Sequence, residues 1–239
     1  MNANLYSRFL SSFLLNKYLF LVSQPLTMAN QPDAYHSKHL VYRAIEDTPE
    51  DMALVSAIQN DAWTYARANF TLMKPQGAQD LMEAKRGLAE MALLGVAICL
   101  PSPAANPEAP GLPGQQPPAT ESKPIPIGAI GLSPSLPGHG HHRESFVSVS
   151  IARGYRGRGH GSEALRWVLQ WGFQIAGLHR ISIESFAYNE GAGRLYEKLG
   201  FVLEGRKRKC IWFNGEWHDQ LTYGMLEEEW RVQTGARKF

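Results

Sequence analysis

One short run constrains this chain more than any other. It is Arg156-Gly157-Arg158-Gly159-His160-Gly161, set between a strand-like segment and a helix-like one. Before it, Phe146-Val147-Ser148-Val149-Ser150-Ile151 is apolar on alternate positions, the period of a strand. After it, Leu165, Val168, Leu169, Gly172, Phe173 and Ala176 fall on one face at helical spacing. Glycines at alternate positions let the backbone turn tightly and offer its N–H groups to a ligand. A helix starting there adds free N–H donors and the positive end of its dipole. Arg153, Arg156 and Arg158 surround the turn with positive charge. The combination points to a diphosphate.

Two familiar phosphate loops fit poorly. A nucleotide-triphosphate loop needs Gly-Lys-Ser/Thr four residues after its first glycine, but Gly154 and Gly159 are followed by His160-Gly161. A dinucleotide fingerprint needs glycines at its first, third and sixth positions. Gly157 and Gly159 match and Ser162 does not, which leaves a dinucleotide-dependent oxidoreductase as a remote alternative.

The spacing that fits is Arg-x-x-Gly-x-Gly, Arg156 to Gly161. A second block follows downstream, Asn189-Glu190-Gly191-Ala192-Gly193-Arg194-Leu195-Tyr196-Glu197-Lys198-Leu199-Gly200-Phe201, with strand-like Arg180-Ile181-Ser182-Ile183-Glu184 between. In this order the two blocks resemble motifs A and B of the GNAT superfamily of acyl-CoA N-acyltransferases. The likeness covers residues 125 to 230 firmly and 38 to 100 loosely. It implies an α/β fold with a mixed, mostly antiparallel central sheet, helices on both faces and a V-shaped splay between two strands.

The remaining pattern agrees with such a domain. Strands are expected at Leu40–Ile45, Met91–Leu100, Ile125–Leu132, Ser145–Ile151, Arg180–Phe186, Phe201–Phe213 and Glu216–Leu226. Helices are expected at Pro49–Asn60, Gln79–Glu90, Gly159–Ala176 and Gly191–Leu199. Thr48-Pro49-Glu50-Asp51 is a helix start, with Thr as N-cap and Pro at the first position. Asn214-Gly215 is a two-residue hairpin turn.

The 239 residues suit one such domain over 37–239, with 1–36 as a disposable or targeting extension. The apolar stretch of residues 10–22 is interrupted by Asn16 and Lys17, and no acid precedes Asp33. Its uninterrupted runs are too short to span a bilayer, so no stable membrane insertion is expected. A mitochondrial presequence, a signal peptide, an anchor and an upstream start before Met28 remain open, with a cytoplasmic location expected and a mitochondrial one if residues 1–27 are a presequence. Residues 101–126 carry nine prolines and read as a disordered loop inside the domain. Two cysteines make no disulfide scaffold, and a net charge of +2 gives no reason to expect nucleic acid. Gly-His-Gly-His-His at 138–142 lacks a carboxylate or Cys to complete a ligand set, so no metal is expected.

The resemblance implies acetyl-CoA as cofactor and direct transfer of its acetyl group to a primary amine. Backbone N–H groups at Val149, Ser150 and Ile151 would hold the pantetheine arm and polarise the carbonyl. Arg156, Gly157, Arg158, Gly159, His160, Gly161 and Ser162 would hold the pyrophosphate, and Asn189 would meet the arm from motif B. Tyr196 would be the general acid, since a phenol is protonated at neutral pH. Glu184 and Glu144, on strands near the gap, are the candidate bases. The amine is a protein N-terminus or a small amine or polyamine, and the enzyme a monomer or homodimer. Ala192 and Tyr196 depart from the ribosomal-protein N-acetyltransferase branch, while no acidic cluster supports a polyamine. From another class, the alternative is a non-catalytic CoA- or peptide-binding module of the same fold.

Overall fold

Alternating apolar residues build a seven-stranded sheet in the computed structural model, which describes residues 34–102 and 123–236. The strands are β1 (Val41–Arg43), β2 (Leu94–Leu100), β3 (Ile125–Leu132), β4 (Glu144–Ile151), β5 (Arg180–Phe186), β6 (Val202–Phe213) and β7 (Glu216–Leu226). Their order is β1-β2-β3-β4-β5-β7-β6. Every pairing is antiparallel except β4 with β5. A doubly wound dinucleotide sheet is therefore not formed.

Among the described residues six α-helices cover the two faces: α1 (Pro49–Gln59), α2 (Ala62–Ala68), α3 (Ala78–Ala89), α4 (His160–Gln170), α5 (Glu190–Lys198) and α6 (Glu227–Thr234). On one face, α4, α5 and α6 pack Leu165, Val168, Tyr196, Leu199 and Trp230 onto Ile98, Ile130, Val147, Ile181, Tyr223 and Met225. On the other, α1 lays Leu54 and Ile58 over small side chains, Ala97, Cys99 and Ala129. The first face is a dense core. The second is shallower and leaves room beside β4.

Local signals explain most boundaries. Thr48 caps α1 by accepting the Asp51 N–H at 3.3 Å. The buried Asp51 carboxylate accepts from both terminal nitrogens of Arg43 and from the Glu46 N–H, tying α1 to β1. Burial pushes the Asp51 carboxyl up, but these bonds outweigh it and hold it below its ordinary value. Asn214 (φ 51°) and Gly215 (φ 83°) form the β6–β7 turn, both in the left-handed region that a type I′ hairpin needs.

Three expectations change. The helix expected to run from Gly159 to Ala176 becomes π-helical at Trp171–Ile175, where the Ala176 N–H bonds to the Trp171 carbonyl. Gly172 stands at that bend, and a Cβ there would lie 2.6 Å from Ile181 Cδ1, so the helix approaches β5 too closely for a side chain. Secondly, α2 and α6 add two helices that the periodicity did not reveal. Thirdly, Ile125 and Pro126, at the end of the Pro-rich stretch, are already in β3 opposite Leu100 and Cys99. Most of that stretch (103–122) and the N-terminal extension up to residue 33 lie outside the described residues. Among the described residues no helix is long and apolar enough to cross a membrane.

Candidate active site

The site begins where the sheet comes apart. The parallel ladder joins Glu144–Arg180, Ser145–Ile181 and Phe146–Ser182, and stops there. Beyond it β4 stays paired to β3 while β5 stays paired to β7, so the two strands diverge around a V-shaped gap. The register fixes which groups face it. The Ser133 N–H donates to the Phe146 carbonyl and the Ala152 N–H to that of Ile127, so residues 146, 148, 150 and 152 direct their backbone groups at β3. Val149 and Ile151, of opposite parity, direct theirs into the gap. Ser150 is thus corrected: its N–H belongs to the β3 ladder, and what it offers the cleft is its side chain.

A cleft of about 770 Å³ opens on this gap. Val149, Ser150, Ile151, Arg156, Gly161, Glu184, Asn189 and Tyr196 line it, which brings together eight of the fourteen residues expected at the site. The glycine turn lies at its Ile151–Gly161 end. Gly157 (φ 74°) and Gly159 (φ 87°) are left-handed, a conformation that L side chains rarely adopt, although a Cβ at either would touch nothing. Gly159 is the N-cap of α4, so the N–H groups of His160, Gly161 and Ser162 point outward without an intrahelical acceptor. Gly157, Arg158 and Gly159 are exposed. The only acid in this first turn, Glu163, is turned aside, accepting from Ser37 and from the His39 N–H, each at 2.6 Å. That keeps its carboxylate away from the outward N–H groups.

Two expected roles are not supported by the geometry. Arg156 does not present a free charge: its Nε donates to the Ile151 carbonyl at 2.8 Å, and Nη2 donates to Asp61 at 2.8 Å and to Thr64. It ties the turn to α2, and the Thr64 hydroxyl, then this guanidinium, hold the Asp61 carboxyl below its usual range. Glu144 lies at the closed end of the parallel ladder, opposite Arg180, where it accepts from Ser182 at 3.2 Å. It is not part of the cleft.

Glu184 and Tyr196 do reach the gap, from opposite faces of the sheet. Glu184 stands on the shallow face, one oxygen accepting from Gln220 Nε2 at 2.7 Å. Tyr196, on α5, packs edge-on against Tyr223 with ring centroids 5.6 Å apart. Burial pushes its phenol up to about 12. Its hydroxyl has no hydrogen-bond partner among the described residues, where every fully buried side-chain N or O atom has one, so the hydroxyl opens on the cleft. Asn189 caps α5 and donates from Nδ2 to the Arg67 carbonyl at 3.4 Å, linking motif B to α2. Ser162 turns its hydroxyl back along α4 to accept from Arg166 at 2.8 Å.

Sequence reading missed the wall formed by α2 and the segment after it. Trp63, Arg67 and Phe70 line the cleft, with the Arg67 guanidinium carbon 3.6 Å from the centre of the Trp63 ring. Tyr188 fastens this wall by donating to the Ala66 carbonyl. The usable signal was Trp63-x-x-x-Arg67, a stacking pair at i, i+4. Among the described residues no group of three His, Cys, Asp or Glu could hold a metal, and His139, His141 and His142 sit exposed in a short turn.

Part of the chain is similar to known proteins. Residues 113–201 match the model of the Acetyltransferase (GNAT) family. Over those residues the chain is similar to GNAT acetyltransferases. An uncharacterized N-acetyltransferase of Bacillus subtilis, YnaD, is 40% identical over 76 residues, 32% of this chain and 45% of that protein. The spermidine N(1)-acetyltransferase of Escherichia coli K12 is 26% identical over 92 residues, 38% of this chain and 50% of that protein. The chain thus spans about half the length of the curated relatives it matches. The fold is shared with spermidine N-acetyltransferase from Vibrio cholerae, solved in complex with CoA and spermine, at a TM-score of 0.62 and 20% identity over 81% of this chain and 99% of that one.

Proposed function

We propose that the protein is an acetyl-CoA-dependent N-acetyltransferase that acetylates a primary amine by direct attack. The observation that carries this reading is the gap between β4 and β5, with a donor-rich glycine turn at one end and an acid–base pair across it. Bound acetyl-CoA would supply an activated acetyl thioester. The outward N–H groups of residues 160–162 suit its pyrophosphate, with Arg158 as nearby exposed charge. The N–H groups of Val149 and Ile151 suit the amides of the pantetheine arm and the thioester carbonyl, as preorganised donors do wherever negative charge develops.

Each side chain then has a task set by its face. Glu184, on the acceptor side, takes the proton that the amine nitrogen sheds as the C–N bond forms. Tyr196, on the opposite side, gives its proton to the sulfur as the C–S bond breaks. With its phenol near 12, Tyr196 enters each turnover protonated and regains its proton from water. Arg156 acts indirectly by holding the turn against α2 and occupying the Ile151 carbonyl.

Calorimetric titration of the full chain with acetyl-CoA, CoA and NAD in parallel tests the reading. Heat from both CoA compounds and none from NAD is the expected result, followed by thiol release when amines are added. A folded sample silent to CoA compounds sinks the enzyme. Binding without thiol release from any amine would instead favour a binding module.

A further inference from the structure

We infer that the acceptor is an apolar α-amino acid, a primary amine with a carboxylate beside it, and not a polyamine; this rests on the acetyltransferase reading above. The acceptor side of the cleft is the shallow face, between β4 and the wall of α2 and α3. Its charge inventory is short. Among the described residues that line it only Glu184 is acidic, and one of its oxygens is already engaged by Gln220. Of its two arginines, Arg156 is matched by Asp61. Arg67 has no carboxylate partner among the described residues; its guanidinium carbon lies 3.6 Å from the centre of the Trp63 ring, and stacking on a ring leaves a guanidinium's N–H groups able to donate to a ligand.

That inventory suits one chemistry better than the other. A polyamine must lose one charge to react, and its remaining ammonium groups then need anions. This cleft offers them a single carboxylate, assigned to proton transfer, and an unmatched cation. A carboxylate next to the reacting amine meets the opposite situation, since a planar guanidinium binds it through two parallel charge-assisted hydrogen bonds. Phe70, Phe146 and Met91, exposed side chains lining the same cleft, provide contact for an apolar side chain.

The test measures acetyl-CoA-dependent thiol release by the full chain. Acceptors are a panel of apolar α-amino acids, their carboxamides and spermidine, compared at equal concentrations of free base. Amino acids are expected to exceed their carboxamides and spermidine in kcat/KM by about 10- to 100-fold, the range of a hydrogen bond to a charged partner. Arg67→Glu is expected to erase that preference and raise the relative rate with spermidine. Arg67→Lys, which keeps the charge and loses the planar fork, should restore part of it. Acetyl-CoA affinity, read by calorimetry on each variant, should not move; a fall there would place Arg67 on the cofactor and overturn the inference. So would a preference for spermidine or carboxamides that Arg67→Glu leaves unchanged, or binding of acetyl-CoA without thiol release from any of the three acceptor types. The last two results leave cofactor binding intact. Absence of acetyl-CoA binding by the wild-type chain fells the acetyltransferase reading first, and this inference with it.

Discussion

Two faces of one strand divide the labour of this molecule. Along β4, Val147, Val149 and Ile151 turn toward α4 and join the dense core. Phe146, Ser148 and Ser150, one step away each time, lie on the opposite side of the strand and line the cleft, which the first three also border. The backbone is common to both sets, and only the alternation of side chains separates them. Packing is therefore concentrated on one face, and the groups that can do chemistry are left on the other and in the gap between. Damage to the first should appear as lost stability, and damage to the second as lost binding or turnover.

Four substitutions probe that division, in falling order of effect. Gly159→Asp should abolish acetyl-CoA binding, because it sets a carboxylate at the N-terminus of α4 and forces a side chain into the left-handed region. A calorimetric signal like that of wild type would mean that the turn is not the anion site. Tyr196→Phe should lower kcat by roughly 10²- to 10⁴-fold, the usual worth of a general acid, with acetyl-CoA affinity unchanged. The wild-type phenol near 12 also sets a direction with pH: its active, protonated form is lost only as pH rises through about 12. A basic limb below about pH 10 that persists in Tyr196→Phe belongs to another group.

Leu165→Ala tests the packed face. Leu165, on α4, is fully buried, and its truncation should cost about 2–5 kcal/mol, seen as a Tm lowered by several degrees for a domain of this size. Ser148→Ala tests the open face of the same sheet and should change stability by less than about 0.5 kcal/mol. Equal losses in these two variants would erase the distinction between the faces.

The sequence carried the framework because its signals were local. Strand alternation in Arg180–Phe186 and Glu216–Leu226 gave those two strands to the residue. The glycine turn and the Tyr196 block each lie within one short segment, and so the segments proposed to hold the cofactor could be picked out from the sequence. The acceptor wall was not. Helix α2 is seven residues long, too short for a helical repeat to show, and its Asp61 makes no capping bond because its carboxylate is committed to Thr64 and Arg156. That last contact joins residues 95 positions apart. Arg156 read as a free cation for the same reason: its partner is distant in sequence. Glu144 and Glu184 looked alike as strand carboxylates, and only the point where the ladder stops separates them. Helix α6 had left a mark that periodicity overlooks, three consecutive acids at Glu227–Glu229 and a left-handed Gly235 at its end.

The parallel ladder between β4 and β5 has just three residue pairs. Among the described residues it is the only strand pairing that joins β1–β4 to the β5–β7–β6 unit, so the sheet is most easily prised open along this line. A ligand with amide groups laid along the exposed edge of β4 would act as an inserted strand and lengthen the seam. In amide hydrogen exchange, Val149 and Ile151 should then be the protons that slow most on loading, while the interior of β3, paired on both sides throughout, changes little. A ligand seated in the gap would thus become a structural member of the fold, and loading it should knit the two halves into one cooperative unit.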